Sequence, residues 1–215
     1  MTGAANPTVA TYATDGEMFV RITAKAATAE EAALLMAPVR DAVCRRLGEH
    51  VYGVDVENLE SVVVPLLLQR GETLTTAESC TGGLLAKRIT DVAGASSVFH
   101  QGVVTYANEA KTRLLGVPEE LLASVGAVSP EVARCMAEQA RTRYGSTWGV
   151  GISGIAGPGG ATATKPVGLV YIALSNGRQT WLRVMRPHGR YMGRAWTRQR
   201  AASHALDMLR RYSWP

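Results

Sequence analysis

Cysteine is scarce, with Cys44, Cys80 and Cys135 the three in 215 residues. They are too few and too scattered for a disulfide framework. No C-x-x-C pair or His/Cys cluster suggests a structural metal, so no metal or other cofactor is expected. No apolar run approaches the roughly 18 residues of a membrane-spanning helix. The N-terminus lacks the basic start and apolar core of a signal peptide. These absences point to a soluble protein of a reducing, cytoplasmic compartment with no membrane partner. Charged residues make up 19% of the chain, with 18 acids against 23 Lys and Arg. Hydrophobic residues at 47% exclude a disordered chain. The net charge of +5 admits nucleic acid or a small anionic substrate. Arg178, Arg183, Arg186, Arg190, Arg194, Arg198, Arg200, Arg210 and Arg211 gather at the C-terminal end, not over the whole chain.

What is present is a pattern of strands and helices. Residues 1–7 read as a frayed tail. Residues 8–12 and 17–24 alternate as strands around an Asp15-Gly16 turn, which predicts a hairpin. A helix follows over 28–47, opened by a Thr28/Glu31 capping box and ended by Gly48. Its apolar stripe is Leu34, Leu35, Pro38, Val39 and Val43, and Pro38 is expected to kink or break it. Residues 51–55 read as a boundary, giving a small α+β segment over 1–53 and a main domain over 54–215. The small segment has no G-x-x-G clamp of the kind that grips RNA backbone, so nucleic-acid binding is not expected of it. Beyond the boundary the pattern runs helix 58–70, strand 73–78, helix 81–91, strand 98–106, short helices 108–115 and 118–124, and helix 129–144. Ser129-Pro130-Glu131 is a strong helix start. Strand 148–153, strands 167–174 and 180–184 around Asn176-Gly177, and a last helix over 189–211 complete it. Strands alternating with helices and ending in a hairpin predict a three-layer α/β/α domain with a mixed sheet.

Three loops follow strand C-termini, at 78–83, 106–111 and 153–160, the edge where sites of open α/β sheets gather. The first, Glu78-Ser79-Cys80-Thr81-Gly82-Gly83, places hydroxyls and a thiol on a strand-to-helix turn. There the first helical N–H groups lack intrahelical partners and favour negative charge. The same residues would serve a plain helix start, with Ser79 or Thr81 as cap. In the second loop Lys111 stands one turn into a short helix, after Thr105, Tyr106 and Asn108. A buried lysine of lowered pKa can act as base toward a serine, and a tyrosine can relay the proton. The third loop, Gly154-Ile155-Ala156-Gly157-Pro158-Gly159-Gly160, can wrap N–H groups around an anion, and it is equally a tight turn. Arg190, Arg194 and Arg198, spaced by four on the last helix, repel one another unless something offsets the charge.

Together, residues 77–83, 104–111, Gly126-Ala127-Val128-Ser129, residues 152–158 and Lys165-Pro166-Val167-Gly168 resemble the successive motifs of the CinA C-terminal domain family, the nicotinamide-nucleotide amidases (NMN deamidases). Residues 7–53 resemble the small KH-like domain that precedes it in CinA proteins. The larger N-terminal, metal-dependent nucleotide-pyrophosphatase domain of such proteins has no counterpart here. The resemblance implies hydrolysis of the carboxamide of nicotinamide mononucleotide to nicotinate mononucleotide and ammonia, without a cofactor. It places the nucleophile at Ser79 and the base at Lys111, with Tyr106 beside them. It places Glu78, Cys80, Thr81, Gly82, Gly83, Thr105, Asn108, Ser153, Gly154, Ala156, Gly157, Lys165, Arg194 and Arg198 around the nucleotide substrate. It also implies a homodimer or higher homo-oligomer. A late Gly-Asp-Arg motif of the family stands here as Met192-Gly193-Arg194, with glycine in place of the acid. Cys80 is the rival nucleophile. A phosphate-binding transferase using the glycine loops lacks Walker spacing and a magnesium acid. A non-catalytic nucleic-acid-binding or regulatory module is the other alternative.

Overall fold

The computed structural model describes residues 6–14, 16–187 and 189–213, in two units, Met1–Asp55 and Val56–Pro215. In the first unit, β1 (Thr8–Ala13) and β2 (Met18–Thr23) form an antiparallel hairpin with Thr8 opposite Thr23. Asp15, half of the expected turn signal, and residues 1–5 of the expected tail lie outside the described residues. Asn6 is not frayed: its side chain accepts from Lys25 N and donates to Lys25 O, both at 2.9 Å. Helix α1 (Ala29–Leu47) is capped by Thr28 Oγ1, which accepts from Glu31 N at 3.1 Å. It runs unbroken through Pro38, and a cap at each end supports the helix there. None of its residues is fully buried: of the expected apolar stripe, Val39 and Val43 are half-buried while Leu34 is 75% exposed.

The second unit is built on a five-stranded mixed sheet of order β4-β3-β5-β6-β7. Its strands are β3 (Leu74–Glu78), β4 (Phe99–Val104), β5 (Trp148–Gly154), β6 (Val170–Ser175) and β7 (Thr180–Met185). β3 lies parallel between β4 and β5, and β5-β6-β7 is antiparallel. The strands β4, β3 and β5 therefore end side by side. Residues 166–169 are spent on a turn, so β6 begins at Val170, three residues after the expected start.

The helices are α2 (Glu60–Arg70), α3 (Leu84–Thr90), α4 (Asn108–Ala110), α5 (Glu119–Val125), α6 (Pro130–Tyr144) and α7 (Arg194–Tyr212). Helix α6 starts as its sequence dictates, with Ser129 Oγ accepting from Val132 N and Pro130 at the first position. It lies directly on β5: a Cβ added at Gly151 would stand 2.3 Å from Ala133 O. On β4, a Cβ at Gly102 would meet Phe99, Thr76 and Ala86 of α3 at 2.9–3.2 Å, so this glycine marks a close approach. The register irregularity falls two residues earlier, where His100 is the extra residue opposite Leu74 and Thr75.

The last helix begins at Arg194, five residues later than expected, so Arg190 lies in the preceding loop and is not on the helix. Gly193 precedes it with no side-chain cap, consistent with the loss of an acid from that position. Much of the C-terminal basic charge is paired inside the fold. Asp207 accepts from Arg183, Arg210 and Arg211. A buried ion pair between Arg88 of α3 and Glu60 of α2, with Arg88 also donating to Ser203 Oγ of α7 at 2.7 Å, ties three helices together. Among the described residues no helix is long and apolar enough to cross a membrane, and no three His, Cys, Asp or Glu side chains group as metal ligands.

Candidate active site

The site begins with the central strand. β3 is buried along its whole length, which fixes the direction in which its last residue, Glu78, leaves the sheet. Both neighbours hold the exit: Thr105 N donates to Glu78 O at 2.8 Å, and Ser79 N donates to Ile152 O at 3.0 Å. The Glu78 carboxylate accepts from Leu85 N and Ala86 N, at 3.0 and 2.8 Å, at the start of α3. It satisfies two of the donors a helix start leaves open, and its negative charge suits that end of the dipole. Glu78 thus holds the helix that the turn leads into.

Between strand and helix the chain turns through Gly82 and Gly83 at φ of +60° and +90°, values that favour glycine. Gly82 N donates back to Ser79 O at 3.0 Å. The N–H groups of Cys80, Thr81 and Gly83 meet no acceptor in another residue among the described residues. Donors held open beside a hydroxyl have the form of an oxyanion site.

Lys111 reaches this hydroxyl from the second loop. It is 1% exposed, and its Nζ stands 3.2 Å from Ser79 Oγ, 2.8 Å from Thr105 O and 3.5 Å from Tyr106 O. The short helix of the sequence reading is a single α turn, α4, continuing into a π turn over Lys111–Leu115 closed by Gly116 at φ +69°. Gly116 N reaches back to Lys111 O, and both Lys111 and Leu115 are buried. Such wide turns often occur at functional positions. Burial pulls the Lys111 amine below its usual range, with the Glu109 carboxylate acting in the opposite direction. The deprotonated amine can take a proton from Ser79. Cys80, by contrast, is buried and its thiol is pushed up to about 12, chiefly by desolvation, so it holds its proton.

Two of the arginines of α7, Arg194 and Arg198, find their partners in the loops. Arg194 donates to Gly157 O at 2.8 Å and to the Tyr106 hydroxyl at 2.7 Å. Arg198, one turn on, donates twice to Thr81 O, at 3.0 and 2.6 Å. One helix face therefore ties together all three loops, and backbone carbonyls and a phenol receive the charge whose repulsion the spacing left open. Tyr191 adds a bond from its hydroxyl to Ala156 O at 2.9 Å. Tyr106 itself is 60% exposed.

Other candidates stand apart from this cluster. Ser153 Oγ donates to Ala127 O at 2.6 Å and Lys165 Nζ to Val125 O at 2.7 Å, so both hold the segment between α5 and α6. Gly154 ends β5 with its Cα against Leu169 O and Val170, where a Cβ would come within 2.7 Å. Asn108 heads α4, exposed and without a side-chain bond to the cluster. The sequence reading missed the Glu60–Arg88–Ser203 network and the helix-holding role of Glu78. The signal for the first was Arg88 itself, a cation between Leu85 and Ile89 on the buried side of α3.

Comparison with known proteins agrees with this architecture. Residues 56–213 match the family described as the CinA C-terminal domain, and residues 1–53 match the damage-inducible protein CinA KH domain. A CinA-like protein of Desulfovibrio desulfuricans is 66% identical over 212 residues, 99% of this chain and 50% of that protein. A putative competence-damage inducible protein of Symbiobacterium thermophilum is 51% identical, over 96% of this chain and 50% of its own length. The chain thus spans about half the length of these curated relatives. Among solved structures, the competence/damage inducible protein CihA of Agrobacterium tumefaciens shares 41% identity at a TM-score of 0.69, covering 74% of this chain and 96% of that one. With a strand-end serine, a buried lysine and the family match on both units, the chain belongs to the CinA family, carrying its C-terminal domain behind a CinA KH domain.

Proposed function

We propose that the second unit is an amidohydrolase that removes ammonia from the carboxamide of nicotinamide mononucleotide. The observation that carries this reading is the 3.2 Å contact between Ser79 Oγ and the buried Lys111 amine, beside open N–H groups. Ser79 Oγ attacks the carboxamide carbon and its proton passes to Lys111. The carbonyl oxygen becomes an oxyanion, which the N–H groups of the turn stabilise. Lys111, now charged, returns the proton to the departing nitrogen, and ammonia leaves an ester on Ser79. Water, deprotonated by Lys111, releases the carboxylate product and restores the serine. Tyr106 and Arg194, exposed beside the site and bonded to each other, suit the aromatic ring and anionic end of a mononucleotide. The two nucleophile candidates divide on ionisation, since the Cys80 thiol keeps its proton where Ser79 has a base within reach.

The test is to incubate the chain with nicotinamide mononucleotide and measure ammonia together with nicotinate mononucleotide. Equal release of both supports the proposal. Binding without release, or salt-sensitive oligonucleotide binding without turnover, contradicts it.

A further inference from the structure

We infer that Arg198 is a positioning residue for the turn that presents Ser79: its guanidinium fixes the Thr81 peptide and so aims the N–H groups of the turn. This rests on Ser79 being the nucleophile, but not on the identity of the substrate. Both Nε and Nη2 of Arg198 are committed to Thr81 O, across 117 residues of sequence. Leu84 N adds a weaker bond to the same oxygen at 3.3 Å. On the other side of that peptide, Gly82 N donates to Ser79 O at 3.0 Å. The Thr81–Gly82 peptide is therefore held at its carbonyl by α7 and at its N–H by the nucleophile's own residue.

The turn needs this support. It contains two glycines at positive φ, the residues with the widest backbone freedom. It carries the open N–H groups of Cys80, Thr81 and Gly83, and their orientation follows from the peptides beside them. Gly82 also makes room for the guanidinium, since a Cβ there would stand 3.2 Å from Nη2. Among the described residues no carboxylate pairs with Arg198, so its charge falls on a neutral carbonyl of the turn, where it also favours a forming oxyanion. The Cys80 thiol senses the same field.

The alternative role for an arginine here is to grip a substrate phosphate, and the two roles separate cleanly by experiment. Arg198→Gln and Arg198→Lys are compared with wild type in two assays, at temperatures where circular dichroism shows each variant folded. The first is the rate at which a fluorophosphonate probe without ring, ribose or phosphate modifies Ser79. There the Ser79 Oγ–P bond forms, the P–F bond breaks, fluoride leaves and the serine proton passes to Lys111. The second is kcat and KM for ammonia release from nicotinamide mononucleotide and from nicotinamide riboside.

A positioning role predicts about 10–100-fold slower phosphonylation in Arg198→Gln, somewhat less than the about 10²–10³-fold cost of deleting an oxyanion donor. It predicts the same fractional loss of kcat on the mononucleotide and the riboside, with KM changed less than about threefold. Arg198→Lys, which keeps the charge but offers no fork, recovers part of the rate and carries the test alone if Arg198→Gln does not fold. Unchanged phosphonylation with a raised KM for the mononucleotide alone overturns the inference. A wild-type chain that is phosphonylated at Ser79 but releases no ammonia removes the proposed substrate, and the inference is then judged on phosphonylation. A wild-type chain not modified at Ser79 overturns it.

Discussion

Replacing Glu60 by glutamine tests how the fold supports the site. Glu60 keeps its shape as Gln but loses the charge that faces Arg88, and both side chains of the pair are nearly sealed from solvent, at 8% and 4% exposure. A buried ion pair is not worth much relative to an apolar pair, but removing one partner strands the other charge. The cost of that is about 3–5 kcal/mol. For a chain of this size 1 kcal/mol moves the melting temperature by about 2–4 °C, so the expected drop is about 6–20 °C. Thermal unfolding followed by circular dichroism reads it directly. The double replacement Glu60→Leu with Arg88→Met removes both charges and is expected to recover most of the loss. A Glu60→Gln protein melting within about 2 °C of wild type would refute the reasoning, because it would mean the guanidinium needs no carboxylate there.

Two further outcomes follow from the ionisation of the site. Because Lys111 acts as base only when neutral, kcat/KM for ammonia release is expected to rise with pH, levelling below the ordinary lysine value of about 10.4. Replacing Glu109 by glutamine removes a charge that opposes this lowering, so the rising limb should move to lower pH; a shift upward would contradict the assignment. With its thiol pushed up to about 12 by burial, Cys80 should be carboxamidomethylated at pH 8 more slowly than half-exposed Cys44, and peptide mapping that finds Cys80 modified first would restore it as nucleophile.

Local signals in the sequence carried the local structure. Thr28 and Ser129 mark helix starts because their hydroxyls accept from N–H groups only three residues on, those of Glu31 and Val132. The three loops meet because β4, β3 and β5 are parallel neighbours, an arrangement that strand-helix alternation foretells. What was not legible depends on distance or on fine backbone geometry. Arg198 and Thr81 are 117 residues apart, and Arg88 and Glu60 are 28 apart, so neither partner could be named from spacing. The π turn at Lys111 differs from an α turn by one residue, too little for an apolar pattern to register over five residues. Pro38 and the late start of α7 show the converse. A proline removes a single helical bond, which two good caps tolerate, and a glycine-bearing segment with no capping side chain delays a helix despite a favourable pattern.

The central claim is that Ser79 attacks and Lys111 takes its proton. The most direct measurement is the initial rate of ammonia release from nicotinamide mononucleotide by the wild-type chain, Ser79→Ala and Lys111→Met, each shown folded. The geometry predicts turnover by the wild type and a loss of at least about 10³-fold in each variant. Turnover within about tenfold of wild type in either variant would contradict it.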